Sequence, residues 1–293
     1  MELVRCTTSD GLRLDGLLYE AKGPARMAMD AIVMHHSVGG TFYAPDFYEQ
    51  AIASLTARGI TVIRANNRGH DIVNRHTAPD GSFFYVGAAF EQIDDCRKDW
   101  KAWVDLAAAH GARKVALWGH SLGAVKTIYY AGTDRDPRLA AAIASSPPRF
   151  NHAQYQTDAV EWPQLAAQIA EARALVDAGK GDTLLRVTKP ASLIMSAAAY
   201  VDKYGSPDGF DYARFIPRVQ VPLLLTLGGA EGKQSRPGSA RISLFGAEDY
   251  LRRLSNENRH MSHAIVDGAD HWYRGCEEVL TRTVLDFLEG VKA

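Results

Sequence analysis

The sequence predicts an α/β protein: a mostly parallel sheet with helices on both faces and a predominantly helical insertion near the sheet's C-terminal edge. Three observations carry this reading. Short apolar runs recur along the chain, separated by segments with apolar residues at helical spacing. The later runs are apolar throughout, as strands covered on both faces are, while the early run LRLDGLLY partly alternates and suits an edge with one exposed face. Regularity fails from about Ser145 to Pro217, yet the strands on either side fit one sheet.

The elements follow in order. LRLDGLLY (12–19) is an antiparallel edge strand and AIVMHH (31–36) a buried one; PDFYEQAIASLTARG then reads as a helix stopped at Gly59. ITVIRAN (60–66) is the next strand. FEQIDDCRKDWKAWVDLAAAHG carries Phe90, Ile93, Trp100, Trp103, Val104 and Ala107 as a buried stripe ending at Gly111. KVALWG (114–119) and AAIASS (141–146) are strands around a further helix. Between 147 and 217, PPRF, EWPQ, KGDT, TKP and YGSPDG punctuate one convincing helix, PQLAAQIAEARALVDAG, and a shorter apolar segment around LIMSAAAYVDKYG. VPLLLTLG (221–228) and SHAIVDGAD (262–270) resume the sheet. The expected organisation is a core from 1–146 and 218–293 with a cap at 147–217.

Composition narrows the function. At 293 residues and 46% hydrophobic, the chain can bury a large core. Its 33 basic and 34 acidic residues leave a net charge of −1 and no basic field for phosphate, which argues against nucleic acid. MELVRCTTSDGLRLDG turns polar too early for a signal peptide, and no apolar run approaches the roughly 20 residues of a spanning helix. A soluble cytoplasmic enzyme with no membrane partner is expected. Cys6, Cys96 and Cys276 have neither paired nor metal-ligand spacing and read as unpaired thiols. A homodimer through the sheet edge or the cap is left open.

The strongest chemical signal is KVALWGHSLGAVKTIYY. A strand runs into Gly119-His120-Ser121-Leu122-Gly123 and a helix follows, the context a nucleophile elbow requires. Glycines flank the turn because a side chain would crowd the neighbouring backbone. Ser121 is the expected nucleophile, with His120 and Trp118 as packing. HAIVDGADHWYRG places His271 just beyond a strand, where it can take the proton from Ser121 and pass it on. Asp267 and Asp270 lie too close to it in sequence to serve as its orienting acid. AIVMHHSVGGTFYAP offers backbone donors: the amide of Ser37, or that of Val38, together with that of Leu122. His35 and His36 lack the spacing of a metal site and read as loop-bracing residues. Arg68 and Asp71 in NNRGHD suggest ionic bracing beside the cleft.

Together these segments resemble the α/β-hydrolase superfamily: AIVMHHSVGG the oxyanion loop, NNRGHD the loop after the next strand, GHSLG the elbow, the stretch after SSPP the cap, LTLGGAEG the acid turn and GADHWY the histidine loop. The resemblance implies an eight-stranded, mostly parallel sheet, a serine-acid-histidine order along the chain, and hydrolysis through an acyl-enzyme. His36 departs from the pattern, standing where many members have glycine. Glu231, after the strand VPLLLTLGG, matches the acid turn; Asp249 in AEDYLRRL is its rival and Glu248 a weaker one. The expected reaction is cleavage of a small apolar or aromatic carboxylic ester without metal or organic cofactor. A lactone, thioester, amide or carbon-carbon bond, and an inactive small-molecule-binding protein, remain alternatives. His36, Phe42, Tyr43, Tyr155 and Trp162 are the candidate substrate contacts.

Overall fold

Alternation of strand and helix continues through the whole chain. In the computed structural model, residues 1–44, 46–78, 80–206, 209–231 and 248–292 are described, with backbone alone at 248–250. The first half contains β1 (Glu2–Thr7), β2 (Arg13–Tyr19), β3 (Ala31–His35), α1 (Tyr48–Ala57), β4 (Thr61–Ala65), the short strands β5 (Asn74–Thr77) and β6 (Phe83–Val86), α2 (Cys96–Ala109), β7 (Val115–His120), α3 (Leu122–Thr133) and β8 (Leu139–Ser145). An excursion follows: α4 (His152–Gln156), α5 (Glu161–Asp177), β9 (Leu184–Val187), β10 (Leu193–Ser196), α6 (Ala197–Tyr200) and short helical turns as far as Arg218. β11 (Leu223–Gly228), α7 (Glu248–Glu257), β12 (Met261–Val266) and α8 (Glu277–Glu289) complete the core.

Eight strands form one sheet in the order β1-β2-β4-β3-β7-β8-β11-β12. β2 pairs antiparallel with both β1 and β4, and every later pairing is parallel. β3, β7, β8 and β11 are almost wholly buried, because α2 and α3 cover one face and α1 and α8 the other. Trp100, Trp103 and Val104 of α2 are fully enclosed, as their spacing predicts, while Phe90 and Ile93 precede the helix. Gly59 and Gly111 end α1 and α2 at positive φ, +80° and +93°.

Two features depart from the expected order. The edge of the sheet is β1, and the alternating run at β2 lies one place inward. ELVRCT buries only Val4 and Cys6, a pattern too short and too charged to stand out. The insertion is also less helical than expected, since β9 and β10 pair as an antiparallel hairpin. A bidentate pair between buried Arg149 and Asp211, at 2.7 and 2.8 Å, joins its beginning to its last turns. The described residues contain no helix long and apolar enough to cross a membrane.

Candidate active site

β7 delivers Ser121 to the rim of the sheet in a conformation only a tight elbow imposes, φ +55° and ψ −119°. Such backbone costs about 1–3 kcal/mol and persists where its surroundings enforce it. Here the Ser121 amide donates to Ser145 O at 2.8 Å, and α3 begins at the next residue. A Cβ at Gly119 would meet the Gly123 carbonyl, and one at Gly123 would lie 2.5 Å from His36 O and 2.9 Å from His35 O. The two glycines therefore let the elbow close and rest directly on the oxyanion loop.

His271 arrives from the loop after β12. Asp270 accepts the amides of Trp272 and Arg274 at 2.9 and 3.1 Å, and buried His120 donates from Nε2 to His271 O at 2.8 Å. Burial holds the His120 imidazole neutral, lowering its pKa to about 3. So fixed, His271 places Nε2 3.0 Å from Ser121 Oγ and Nδ1 3.3 Å from Glu231 Oε2.

The Glu231 side chain is 2% exposed. Its Oε1 accepts the Gly228 amide at 2.7 Å and the Ser146 hydroxyl, leaving Oε2 for the imidazole. A Cβ at Gly228 would collide with the carbonyls of Ala269 and Asp270, so glycine there lets the acid turn reach the histidine loop. Ser146 has one hydroxyl proton and donates it in a hydrogen bond to the carboxylate, so Tyr273 O–H, 2.9 Å away, donates to Ser146 Oγ. Thr226 Oγ1 lies 2.8 Å from Tyr273 and 3.0 Å from Ser145 Oγ, which accepts the Trp118 indole N–H at 2.9 Å. A buried chain of hydroxyls thus backs the carboxylate. Ser146 adopts φ +53°, uncommon for a non-glycine residue. Asp249, the rival acid, has a side chain outside the described residues.

His36 braces the oxyanion loop with both ring nitrogens: Nδ1–H donates to Ser37 O at 2.7 Å, and Nε2 accepts the Asn67 amide at 3.2 Å. Burial keeps it neutral, its pKa lowered to about 3. A trans peptide points its C=O and N–H in opposite directions, so tethering Ser37 O also sets the Val38 N–H. Val38 and Leu122 both line the cavity that opens at Ser121 and His271, and the Leu122 amide, first in α3, has no intrahelical acceptor. Ser37 lines a neighbouring, more polar cavity. His35 stacks on Trp100, with ring centroids 3.5 Å apart. Among the described residues, no group of three His, Cys, Asp or Glu stands where it would hold a metal ion. Arg68 is held by Asp10, Asp95 and Asp99, whereas Asp71 bonds His70 and Tyr43.

The cavity at Ser121 measures about 220 Å³ and is chiefly aliphatic, its cap side formed by Pro148, Ala191, Leu193 and Met195 with Phe150, Tyr204 and Lys203. None of the five expected substrate contacts is among its described lining residues. His36 is engaged in its loop. Phe42 is half-buried, and Tyr43 is 61% exposed with its hydroxyl on Asp71 at 3.1 Å. Tyr155 is wholly enclosed in the cap and donates to Arg149 O at 2.5 Å, and Trp162 packs against His152. Aromatic content alone does not set which way a ring faces: Tyr155 and Trp162 pack within the cap, while Phe150 and Tyr204 join smaller side chains of the β9–β10 hairpin in the cavity wall. Ser146, Tyr273 and Lys203 were missed as well. Only the SSPP stretch beside the strand ending at Ser145 hinted at Ser146.

The fold and this site define a serine-dependent hydrolase of the α/β-hydrolase superfamily. More narrowly, the chain belongs to the family described as serine aminopeptidase, S33, which matches residues 30–182 and so takes in the oxyanion loop and the elbow. The thiohydrolase apmlB of Arthrinium phaeospermum is 30% identical over 152 residues, which cover 51% of this chain and 45% of that protein; the chain spans less than half of that relative's length. Among solved structures, Est1E from Butyrivibrio proteoclasticus with ferulic acid bound superposes with a TM-score of 0.65 at 17% identity, covering 97% of each chain. The α/β hydrolase GrgF from Penicillium sp. sh18 gives 0.66 at 20%, over 98% of this chain and 97% of that one. The enol-lactonase from Burkholderia xenovorans LB400 gives 0.60 at 17%, over 97% and 99%. At these identities the structures share the fold with this chain.

Proposed function

We propose that the chain hydrolyses a carboxylic ester of a small, largely apolar acid, with Ser121 as nucleophile, His271 as general base and acid, and Glu231 as the orienting carboxylate. One observation carries the reading: Ser121 and His271 open together into an apolar cavity flanked by Val38 and Leu122. Ser121 Oγ attacks the acyl carbon as His271 Nε2 takes its proton; the carbonyl oxygen, gaining charge, receives the amides of Val38 and Leu122. The tethered Ser37 carbonyl favours Val38 over Ser37 as the first donor. Imidazolium then protonates the departing alcohol. Water, deprotonated by the same nitrogen, releases the acid. Glu231 stabilises the imidazolium at each stage.

A thioester is the second reading, favoured by the partial similarity to a thiohydrolase; the same acyl-enzyme serves both, and only the leaving group differs. A serine-directed phosphonate and a panel of short-chain esters and thioesters test both. The phosphonate should label Ser121, located by mass spectrometry, and Ser121→Ala should lower turnover by about 10⁶. Ester and thioester turnover unchanged in Ser121→Ala would sink the mechanism.

A further inference from the structure

Among the described residues lining the cavity, Lys203 is the sole lysine or arginine. It sits in the helical turn Val201–Gly205 of the cap and is 4% exposed. Its ammonium donates one hydrogen bond, to Glu91 O at 3.1 Å. The Glu91 carboxylate is shared between two lysines: Oε1 pairs with buried Lys126, while Oε2 forms a long ion pair with Lys203 at 3.7 Å that is not a hydrogen bond. Asp202 turns its carboxylate to the Ile93 amide at 2.8 Å. An ammonium carries three N–H donors. Lys203 uses one, so two are free of hydrogen bonds in a residue that lines the apolar cavity.

Charge counting leads the same way. Two buried lysines share the Glu91 carboxylate, and the next anion, Asp202, is turned to the Ile93 amide. Desolvation lowers the Lys203 pKa and Lys126 lowers it further, while Glu91 and Asp202 raise it. A buried cation is tolerated when paired and hydrogen-bonded, and a substrate entering the cavity is positioned to supply what the protein does not.

We propose that Lys203 selects substrates whose apolar acyl group carries an anionic oxygen, which binds the two free N–H groups of this lysine while the scissile carbonyl lies at Ser121. The proposal rests on the acyl-enzyme reading and specifies its substrate: an ester of a short dicarboxylic acid, or an acid bearing another anionic oxygen at that position. The reaction is unchanged. Lys203 loses no proton to the substrate and forms no bond; it sets which acyl group is held.

The 4-nitrophenyl monoester of adipic acid, its methyl ester and 4-nitrophenyl hexanoate form a matched set, with rates corrected for spontaneous hydrolysis. Wild-type protein should favour the free acid over its methyl ester by about 10- to 100-fold in kcat/KM, the worth of a hydrogen bond to a charged group. Lys203→Met should abolish or reverse that ratio. Lys126 still pairs with Glu91 in this variant, and the wild-type ratio alone decides if the variant does not fold. Equal turnover of the acid and its methyl ester, or a preference that persists in Lys203→Met, overturns the role of Lys203 and leaves the ester-hydrolase reading standing. If none of the three esters turns over and the phosphonate leaves Ser121 unlabelled, that reading fails instead. Calorimetric titration with free adipate then tests the lysine directly: binding lost in Lys203→Met supports the anion site, and no binding to wild type rejects it.

Discussion

At the strand ends, Ser121, His271 and Glu231 are each held by partners from at least two elements, whereas the cap wall facing them is apolar with a single incompletely partnered cation among its described residues. The difference follows from what each part has to do. Proton transfer needs reacting atoms near 3 Å and fixed tautomers, which hydrogen bonds at the ends of a rigid sheet supply. Holding an acyl group needs shape and exclusion of water, which packing supplies. Reaction type therefore resides in residues of narrow chemistry, and substrate choice in residues that many others could replace.

The comparison breaks most readily at the carboxylate. Glu231→Gln keeps the shape but removes the charge opposite His271, and kcat is expected to fall by about 10³–10⁴ with the fold intact. Circular dichroism with ester turnover checks it. A near-normal rate would move the acid role to another residue, Asp249 being the first to test by Asp249→Asn.

Next is the contact between elbow and oxyanion loop. In Gly123→Ala the added Cβ would lie 2.5 Å from His36 O, so the elbow or the loop must move. Loss of one oxyanion donor costs about 10²–10³ in kcat, and a fall of that size is expected with little change in KM. Unaltered kcat in a folded Gly123→Ala protein would show that the two segments are not held as rigidly as the geometry indicates.

A smaller effect separates the hydroxyl chain from the row it supports. Ser146→Ala leaves Glu231 Oε1 with the Gly228 amide alone. The expected loss is about tenfold in kcat and about 1–2 kcal/mol of stability. Ser146→Gly removes the same hydroxyl but relieves the backbone at φ +53°. Both variants should lose activity alike, while Ser146→Gly recovers part of the stability. If kcat follows stability across the pair, Ser146 acts through the backbone turn rather than through the carboxylate.

Legibility in the sequence divides along the same line. GHSLG names a backbone geometry that few sequences satisfy, and its residues stand at the elbow described. Glu231 and His271 each follow a strand in adjacent positions of a parallel sheet, so topology brings together residues 40 apart. The sheet was readable because strands buried on both faces are apolar throughout. β1 was not, being half exposed and charged, and neither was the β9–β10 hairpin, whose outward residues Leu184 and Ile194 are 47% and 50% exposed and break the alternation expected of a half-buried strand. Ser146 and Lys203 carry no motif: one matters through an adjacent strand end, the other through the depth to which the cap buries it.

The finest test of the comparison asks whether the cap's large aromatics serve packing or substrate. Tyr155 is wholly buried and its hydroxyl meets only the Arg149 carbonyl among the described bonds, so Tyr155→Phe removes one buried hydrogen bond and no volume from the cavity at Ser121. Stability should fall by about 1 kcal/mol, since the carbonyl loses a neutral partner. Ester turnover should stay within about twofold across acyl chains of different length. A change in acyl preference without a change in stability would return Tyr155 to the substrate wall, where aromatic content alone had placed it. The cap would then be selecting substrate through Tyr155 in addition to Phe150, Tyr204, the hairpin and Lys203.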